Sequence, residues 1–414
     1  MPTTTPGNVE VCVVGAGPHG LAVTTHLLSA QPSLRGRISV VDPSGEWLAT
    51  WSEQFERLEI GVLRSPVVHH PAVAPGALAS YTNERRLPRS NLPYDPPLRS
   101  VFESFCTDSI DRYDIASLPS AGTVQGLTPG TDAEPAVVIT SEGELRARHV
   151  VWCGNPSRPQ VPPAIGSDPE AVGAVLSAGV DLRTISSLEG AHVVVVGGGL
   201  TAGHLVMGAR SRGARVTLIA RRPLVERDFD VEPGWLGPKH LDGYLLLADP
   251  QRRLDTARSA RGGGSVPGWM RRRICAEVDA GAVRLVIGAI DHAAARGDGT
   301  ELVVNGEAIV ADQCWLATGT IPDSRADAAL GPAVEATVDH LNGIPVVDRD
   351  LRLPGTNVFV TGRLATTELG PAAGNLWGAR MAARAISRAI TSVDLDADAM
   401  TVIEPPSTRP TGAA

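Results

Sequence analysis

Two glycine-rich turns, each set between an apolar run and a helix-like stretch, constrain this chain more than any other feature. Residues 9–14 (VEVCVV) are a short apolar run of the kind a buried parallel strand requires. Gly15-Ala-Gly17-Pro18-His19-Gly20 follows, then an apolar, helix-like stretch from Leu21 to Leu28. Residues 37–41 (RISVV) make a second strand that ends at Asp42. Strand, G-x-G-x-x-G, helix, strand and acid in that order form a dinucleotide cradle. Gly17 lets the backbone approach a pyrophosphate, Gly20 lets the helix sit close to the strand, and the helix N-terminus offers free N–H groups to phosphate. Asp42 stands where an acid bonds the two hydroxyls of a ribose.

The second turn repeats the plan. Residues 192–196 (HVVVV) are a strand, Gly197-Gly-Gly199-Leu-Thr201-Ala202 is a G-x-G-x-x-A turn, and residues 200–212 read as a helix. The next strand, 215–220, ends in Arg221-Arg222 instead of an acid. An acid there repels a 2′-phosphate, whereas guanidinium groups hold one. The second unit therefore reads as an NADPH site and the acid-ended first unit as an FAD site. A solvated turn is the plain alternative for the two arginines.

The segments around these units predict how they connect. A hairpin and strand over 136–152 run into Cys153-Gly154 and a proline-rich stretch, where the chain leaves the first sheet. A matching return follows the strand 313–317 at Thr318-Gly319. A last strand, 357–361, leads through Gly362 and a loop to Gly370-Pro371 and a long helix over 372–390, with proline as its start signal. The expectation is an α/β protein of two Rossmann-like dinucleotide-binding domains, with the NADPH domain inserted into the FAD domain. The FAD domain takes 1–185 and returns over 316–403. The NADPH domain takes 186–315, carrying an insertion at 223–273 whose Gly262-Gly-Gly264 suggests a mobile loop, and 404–414 form a disordered tail.

Composition narrows the partners. With 37 Lys and Arg against 45 Asp and Glu, net charge −8, and no basic block, a nucleic-acid or anionic membrane surface is not expected. Lys239 is the one lysine. Five scattered cysteines without a C-x-x-C pair support neither a disulfide framework nor a zinc knuckle nor a dithiol redox centre, and no metal is expected. Without a signal pattern or a spanning apolar run, the expected location is the cytoplasm. A homo-oligomer is left open.

On these residues, the chain resembles the flavin-dependent monooxygenases with two dinucleotide-binding domains, and within them the bacterial lysine/ornithine N-monooxygenase-like (N-hydroxylating) group. The resemblance rests on the two glycine turns, Glu46-Trp47, Trp51, the segment Leu58-Glu-Ile-Gly-Val-Leu-Arg-Ser65 and Ala317-Thr-Gly319. It implies that NADPH reduces FAD and that a C4a-(hydro)peroxyflavin forms with O2. One oxygen atom then passes to a small nucleophilic substrate, an amine for the N-hydroxylating group, in specialised metabolism. Two alternatives stay open: an NADPH-dependent flavin reductase or dehydrogenase without oxygen transfer, and a redox-sensing FAD/NADPH-binding protein. In the amino-acid hydroxylases a lysine of the segment matching Leu58–Ser65 holds the substrate; here Arg64 stands there. Arg64 is thus a candidate for substrate or cofactor contact, or else a salt bridge. His70, beside His69, is a candidate acid or base, or a satisfied core histidine. Asn375 is a candidate contact to flavin or nicotinamide. Trp47 and Trp51 are candidates for the flavin ring or for the core. Gly154, Gly319, Gly362 and Gly370 are expected at the cofactor-facing turns.

Overall fold

The computed structural model describes residues 7–395; the expected disordered tail at 404–414 lies outside the described residues. The chain begins with strand β1 (Asn8–Val14), helix α1 (Pro18–Ala30) and strand β2 (Ile38–Asp42). Helices α2 (Ala49–Arg57), α3 (Ala77–Glu84) and α4 (Arg99–Tyr113) follow, then strands β3 (Pro119–Ala121), β4 (Val124–Thr128), β5 (Ala136–Thr140) and β6 (Gly143–Trp152). These strands lie in the order β3-β2-β1-β6-β5-β4. β1 is fully buried from Val11 to Val14, as a parallel strand covered on both faces must be. The expected hairpin over 136–152 forms, but its second arm and the strand after it are one continuous element, β6, paired antiparallel to β5 and parallel to β1.

The chain then crosses on strand β7 (Ser157–Pro159) into the second sheet: β8 (Ala174–Leu176), β9 (His192–Val196), helix α5 (Leu200–Ser211) and β10 (Arg215–Ala220). Helices α6 (Pro238–Leu245), α7 (Pro250–Arg261) and α8 (Gly268–Asp279) precede strand β11 (Val283–Ile287). An antiparallel meander of β12 (Ile290–Arg296), β13 (Gly299–Val304) and β14 (Glu307–Ala311) leads to β15 (Gln313–Leu316). The second sheet has the order β11-β10-β9-β15-β8. Alternate residues of β9 serve two cores. Val193 and Val195 pack with Leu205, Ala209 and Met270 of the helices, while Val194 and Val196 pack with Leu302 and Ile309 of the meander.

β16 (Thr320–Pro322) carries the chain back and pairs antiparallel with β7, so the two crossings run side by side. The buried carboxylate of Asp323 clips them, accepting from Nε of Arg158 at 2.5 Å and Nε of Arg325 at 2.8 Å. Sheet membership corrects the first of the expected boundaries. β8 belongs to the second sheet although it precedes residue 186, while the return to the first domain follows β15 and Gly319 as the glycine pattern suggests. Helix α9 (Leu330–Thr337) and the small hairpin β17 (His340–Leu341) and β18 (Ile344–Pro345) lead to β19 (Val358–Val360), which joins the first sheet beside β6.

Helix α10 (Thr366–Leu369), a short turn at Gly370–Ala372 and helix α11 (Leu376–Thr391) end the described chain. The expected helix over 372–390 therefore forms but starts later, at Leu376. Pro371 lies in the short turn, and Asn375 caps α11, its side-chain oxygen accepting from the Gly378 N–H at 3.0 Å. Ala379, Ala382 and Ala383 of α11 are buried against α1, where small side chains allow the helices to lie close. The insertion at 223–273, read from sequence as loop-like, contains α6, α7 and the start of α8. It leans on α10: the Tyr244 hydroxyl donates to the Thr366 carbonyl at 2.6 Å, and Arg253 pairs with the nearly buried Glu368. Among the described residues no helix is long and apolar enough to cross a membrane.

Candidate functional site

The first cradle forms where β1 ends. A Cβ on Gly20 would stand 2.0 Å from the Gly15 carbonyl oxygen, so α1 sits against the turn as closely as a backbone allows. Gly17 faces open space. The turn is pinned from three sides: the Gly15 N–H donates to the Val41 carbonyl at 2.8 Å, the Ala16 N–H to Oδ2 of Asp42 at 2.9 Å, and the Leu48 N–H to the Ala16 carbonyl at 2.8 Å. Asp42 also accepts from the amide and hydroxyl of Ser44 through Oδ1. Three of the roughly four acceptor positions of a carboxylate are thus used, and one, on Oδ2, is left for a ribose hydroxyl.

Two buried polar atoms beside this turn have no protein partner: Nδ1 of His19 and the indole N–H of Trp152. His19 lies in the first turn of α1, next to Gly362, and burial drives its pKa down to about 4, so the ring is neutral. Trp152 ends β6, with its indole nitrogen beside Gly154. Sequence reading included His19 but missed Trp152, whose only signal was its place just before Cys153-Gly154. Orphaned donors and acceptors around an open glycine turn are what a bound dinucleotide satisfies; the residues here fit FAD.

The predicted glycines of the two crossings meet at one cation. Arg363, directly after Gly362, donates to Oδ1 of Asn155 at 3.0 Å and to the carbonyl and hydroxyl oxygens of Thr320 at 3.0 and 2.9 Å. It thereby ties the residue after Gly154 and the residue after Gly319 to the C-terminal turn at Gly362. All three acceptors are neutral, and among the described residues no carboxylate pairs with it. Burial, and then the charge of Arg261, push its pKa down to about 10. A half-buried, uncompensated guanidinium is a place for a ligand's negative charge. Gly370 lies under Leu241, Tyr244 and Trp235 of the insertion, which therefore roofs this turn.

The second cradle repeats the geometry at the end of β9. Gly197 approaches the Ala317 carbonyl, and Gly199, Thr201 and Ala202 enter α5. Arg221 and Arg222 follow β10 and are both exposed. The residues fit an anionic dinucleotide, with basic side chains where a 2′-phosphate is read.

Four expected site residues are engaged by the protein itself. Arg64 holds the insertion, donating to the carbonyls of Arg227 (2.8 Å), Asp228 (3.2 Å), Phe229 (3.1 Å) and Ser265 (3.3 Å), to the Ser265 hydroxyl (2.9 Å) and to Asp230 (2.7 Å). Six acceptors surround its five N–H groups, so no donor remains for a substrate carboxylate. Trp47 spends its indole N–H on the Ile115 carbonyl at 2.8 Å. Trp51 stacks on Phe55 with centroids 4.1 Å apart and packs against Phe102. Asn375 has its side-chain oxygen committed to the cap of α11, which leaves only its amide N–H groups to offer a cofactor.

His70 is also corrected. It is fully buried with its ring against Phe105, and burial, followed by the charge of Arg380, lowers its pKa to about 3. A proton shuttle needs access to water and a pKa near the working pH, and His70 has neither. Its neighbours behave alike: burial brings His26 and His69 down to about 4, with Arg380 adding to both. These rings fold neutral but take up protons once unfolded below pH 6.5. The unfolded chain then binds more protons, so stability rises with pH between about 4 and 6.5 and levels off above. A melting temperature that falls steeply as pH drops through this window is the expected result. His70→Phe should flatten the slope, and an unchanged slope would remove these rings from the account.

Comparison with known proteins places this geometry. Residues 12–155 match a family model described as FAD-NAD(P)-binding. No curated protein sequence matches the chain. Among solved structures, the chain is similar to the ornithine N-hydroxylase KtzI of Kutzneria sp. 744, described with reduced FAD, NADP+ and L-ornithine. There the TM-score is 0.73 and the identity 19%, over 93% of this chain and 99% of that one. It is similar to the ornithine hydroxylase PvdA of Pseudomonas aeruginosa (TM-score 0.73, 17% identity, 93% and 99% covered). It is also similar to DfoA of Erwinia amylovora, a cadaverine monooxygenase bound to FAD (TM-score 0.74, 15% identity, 98% and 100% covered). At these identities the likeness is one of fold: two dinucleotide-binding domains, one inserted in the other, over nearly the whole chain.

Proposed function

We propose that this chain is an FAD-dependent, NADPH-consuming monooxygenase that transfers one oxygen atom from O2 to a small nucleophilic substrate, with an amine, and hence N-hydroxylation, the leading case. The observation that carries this reading is the convergence at Arg363. One uncompensated guanidinium joins both domain crossings to the C-terminal turn beside the first cradle. The fold likeness to an ornithine N-hydroxylase, an ornithine hydroxylase and a cadaverine monooxygenase supports it.

FAD, when bound, supplies hydride acceptance and oxygen activation. The chain's own residues do the rest. Gly15 to Gly20 and Asp42 hold the first nucleotide, His19 and Trp152 offer it their free ring nitrogens, and Arg363 presents positive charge. Gly197 to Ala202 hold NADPH, with the basic end of β10 at its 2′-phosphate. Trp235, Leu241 and Tyr244 cover Gly370 and keep water from the turn between the cradles.

One observation favours a second reading. The Leu58–Ser65 segment has its arginine consumed by the insertion and offers no anchor for an amino-acid carboxylate. That leaves an NADPH-dependent reductase without oxygen transfer as the alternative, and within the leading reading it points to an amine without that anchor. The test is a panel of amines, sulfides and carbonyl compounds given to FAD-loaded protein with NADPH and isotopically heavy O2. A product heavier by one labelled oxygen, formed with matched NADPH loss, is expected. Electron delivery to a quinone with no oxygenated product would establish the reductase instead, and failure of NADPH to reduce the flavin would leave a binding protein.

A further inference from the structure

We propose that Arg221 and Arg222 have separate tasks: Arg221 alone reads the 2′-phosphate, and Arg222 is a positioning residue that latches the Gly262–Gly264 loop against the second cradle. The proposal rests on the reading of that cradle as the NADP(H) site and divides its labour.

The loop joins α7 to α8 and lies directly on the phosphate turn. A Cβ on Gly264 would be 3.0 Å from the Gly199 amide nitrogen and 3.1 Å from its Cα. Any larger residue at 264 would lift the loop. Gly262 and Gly263 have φ of +62° and +84°, and a Cβ on Gly263 would meet Nη2 of Arg222 at 3.3 Å. Contact and conformation thus account for the three successive glycines.

Arginines gather almost all of the loop's carbonyls. Arg227 takes those of Ala260 and Arg261 at 3.4 and 3.2 Å, and Arg64 takes that of Ser265 at 3.3 Å. Between them, Nη2 of Arg222 donates to the Gly262 carbonyl at 2.5 Å and the Gly264 carbonyl at 3.4 Å. Arg222 is thus the guanidinium that holds the stretch resting on Gly199. Arg221, its neighbour at the same strand end, is exposed and has no hydrogen bond or ion pair among the described residues. Arg221 can turn its whole fork to a phosphate dianion, whereas Arg222 is fixed to the loop through Nη2 and cannot follow a phosphate without giving up those carbonyls.

The consequence is a difference in selectivity. Losing the phosphate reader weakens only the nucleotide that carries the phosphate, whereas losing the latch disturbs the pyrophosphate turn common to both. Calorimetric titration of FAD-loaded protein with NADP+ and with NAD+ tests this, together with hydrogen exchange over 262–266 without nucleotide. Arg221→Ala should weaken NADP+ by at least about tenfold and leave NAD+ unchanged. Arg222→Ala should weaken both by a similar factor and speed exchange of the loop, and Arg222→Lys should restore part of the protection. Arg222→Ala that weakens NADP+ alone, or leaves loop exchange as in the parent, would overturn the division. If the parent protein binds neither nucleotide, the reading of the cradle fails and the Arg221 assignment falls with it. The exchange measurement reports on the latch independently.

Discussion

Replacing Gly20 by alanine is expected to give a chain that folds but purifies without flavin. The added methyl would sit 2.0 Å from the Gly15 carbonyl oxygen and 3.1 Å from its carbon, a contact no real Cβ accepts. Something must move, and the turn is poorly placed to do so. It is held by Val41 through the Gly15 amide, by Asp42 through the Ala16 amide, and by the Leu48 amide on the Ala16 carbonyl. The first turn of α1 therefore tilts away and takes with it the N–H groups and His19 that face the pyrophosphate. Overpacking of this kind costs about 1–3 kcal/mol, which a chain of this size survives. The cofactor, bound through the geometry that is lost, does not. The check is flavin absorbance per chain after gel filtration, with circular dichroism to confirm folding. A folded variant carrying a full complement of flavin would mean that the first turn is not where FAD binds.

Arg64→Ala is expected to cost about 2–4 kcal/mol of stability and to weaken both nicotinamide nucleotides while the flavin stays bound. Breaking an ion pair and hydrogen-bond cluster by removing one partner strands the other. Fully buried cases cost about 3–5 kcal/mol, and Asp230, whose side chain is 36% exposed, recovers part of that by hydration. The losses fall on residues 227–230 and 265, all in the insertion, whereas the first cradle shares none of these bonds. Arg64→Lys should not rescue, since a single ammonium cannot reach acceptors arranged for a planar fork. Denaturant titration and nucleotide binding measure the two effects. If Arg64 instead held a substrate carboxylate, stability would be unchanged and only the substrate KM would rise.

The parts legible in the sequence were local. Gly15 to Asp42 and Gly197 to Arg222 announce strand, turn, helix and strand because each task — close backbone approach, an open helix end, a terminal acid or base — falls on a residue a few positions from the last. The return at Gly319 and the last strand were legible for the same reason: a β-run followed by glycine is a local pattern. The start of α11 at Leu376 was not. Pro371 suits the start of a long helix as well as it suits a short turn, and only the Asn375 cap decides between them.

Charged side chains were the least readable, because a guanidinium reaches far from its own place in the chain. Arg64 looked like a substrate ligand from its neighbours in sequence, and its acceptors lie more than a hundred and sixty positions away. Arg221 and Arg222 looked equivalent, and the loop that separates them comes from the end of α7. Arg363 follows Gly362 with no local mark of its reach, and it gathers Asn155 and Thr320 from two crossings. The amino-acid order alone determined that the chain builds two nucleotide cradles, one ending in an acid and one in arginines, since backbone shape and strand-end chemistry are short-range properties. Tertiary structure alone decided which cations face a ligand and which hold the protein together, because charge is satisfied by whatever carbonyl or carboxylate the fold brings within about 3 Å, whatever its distance along the chain.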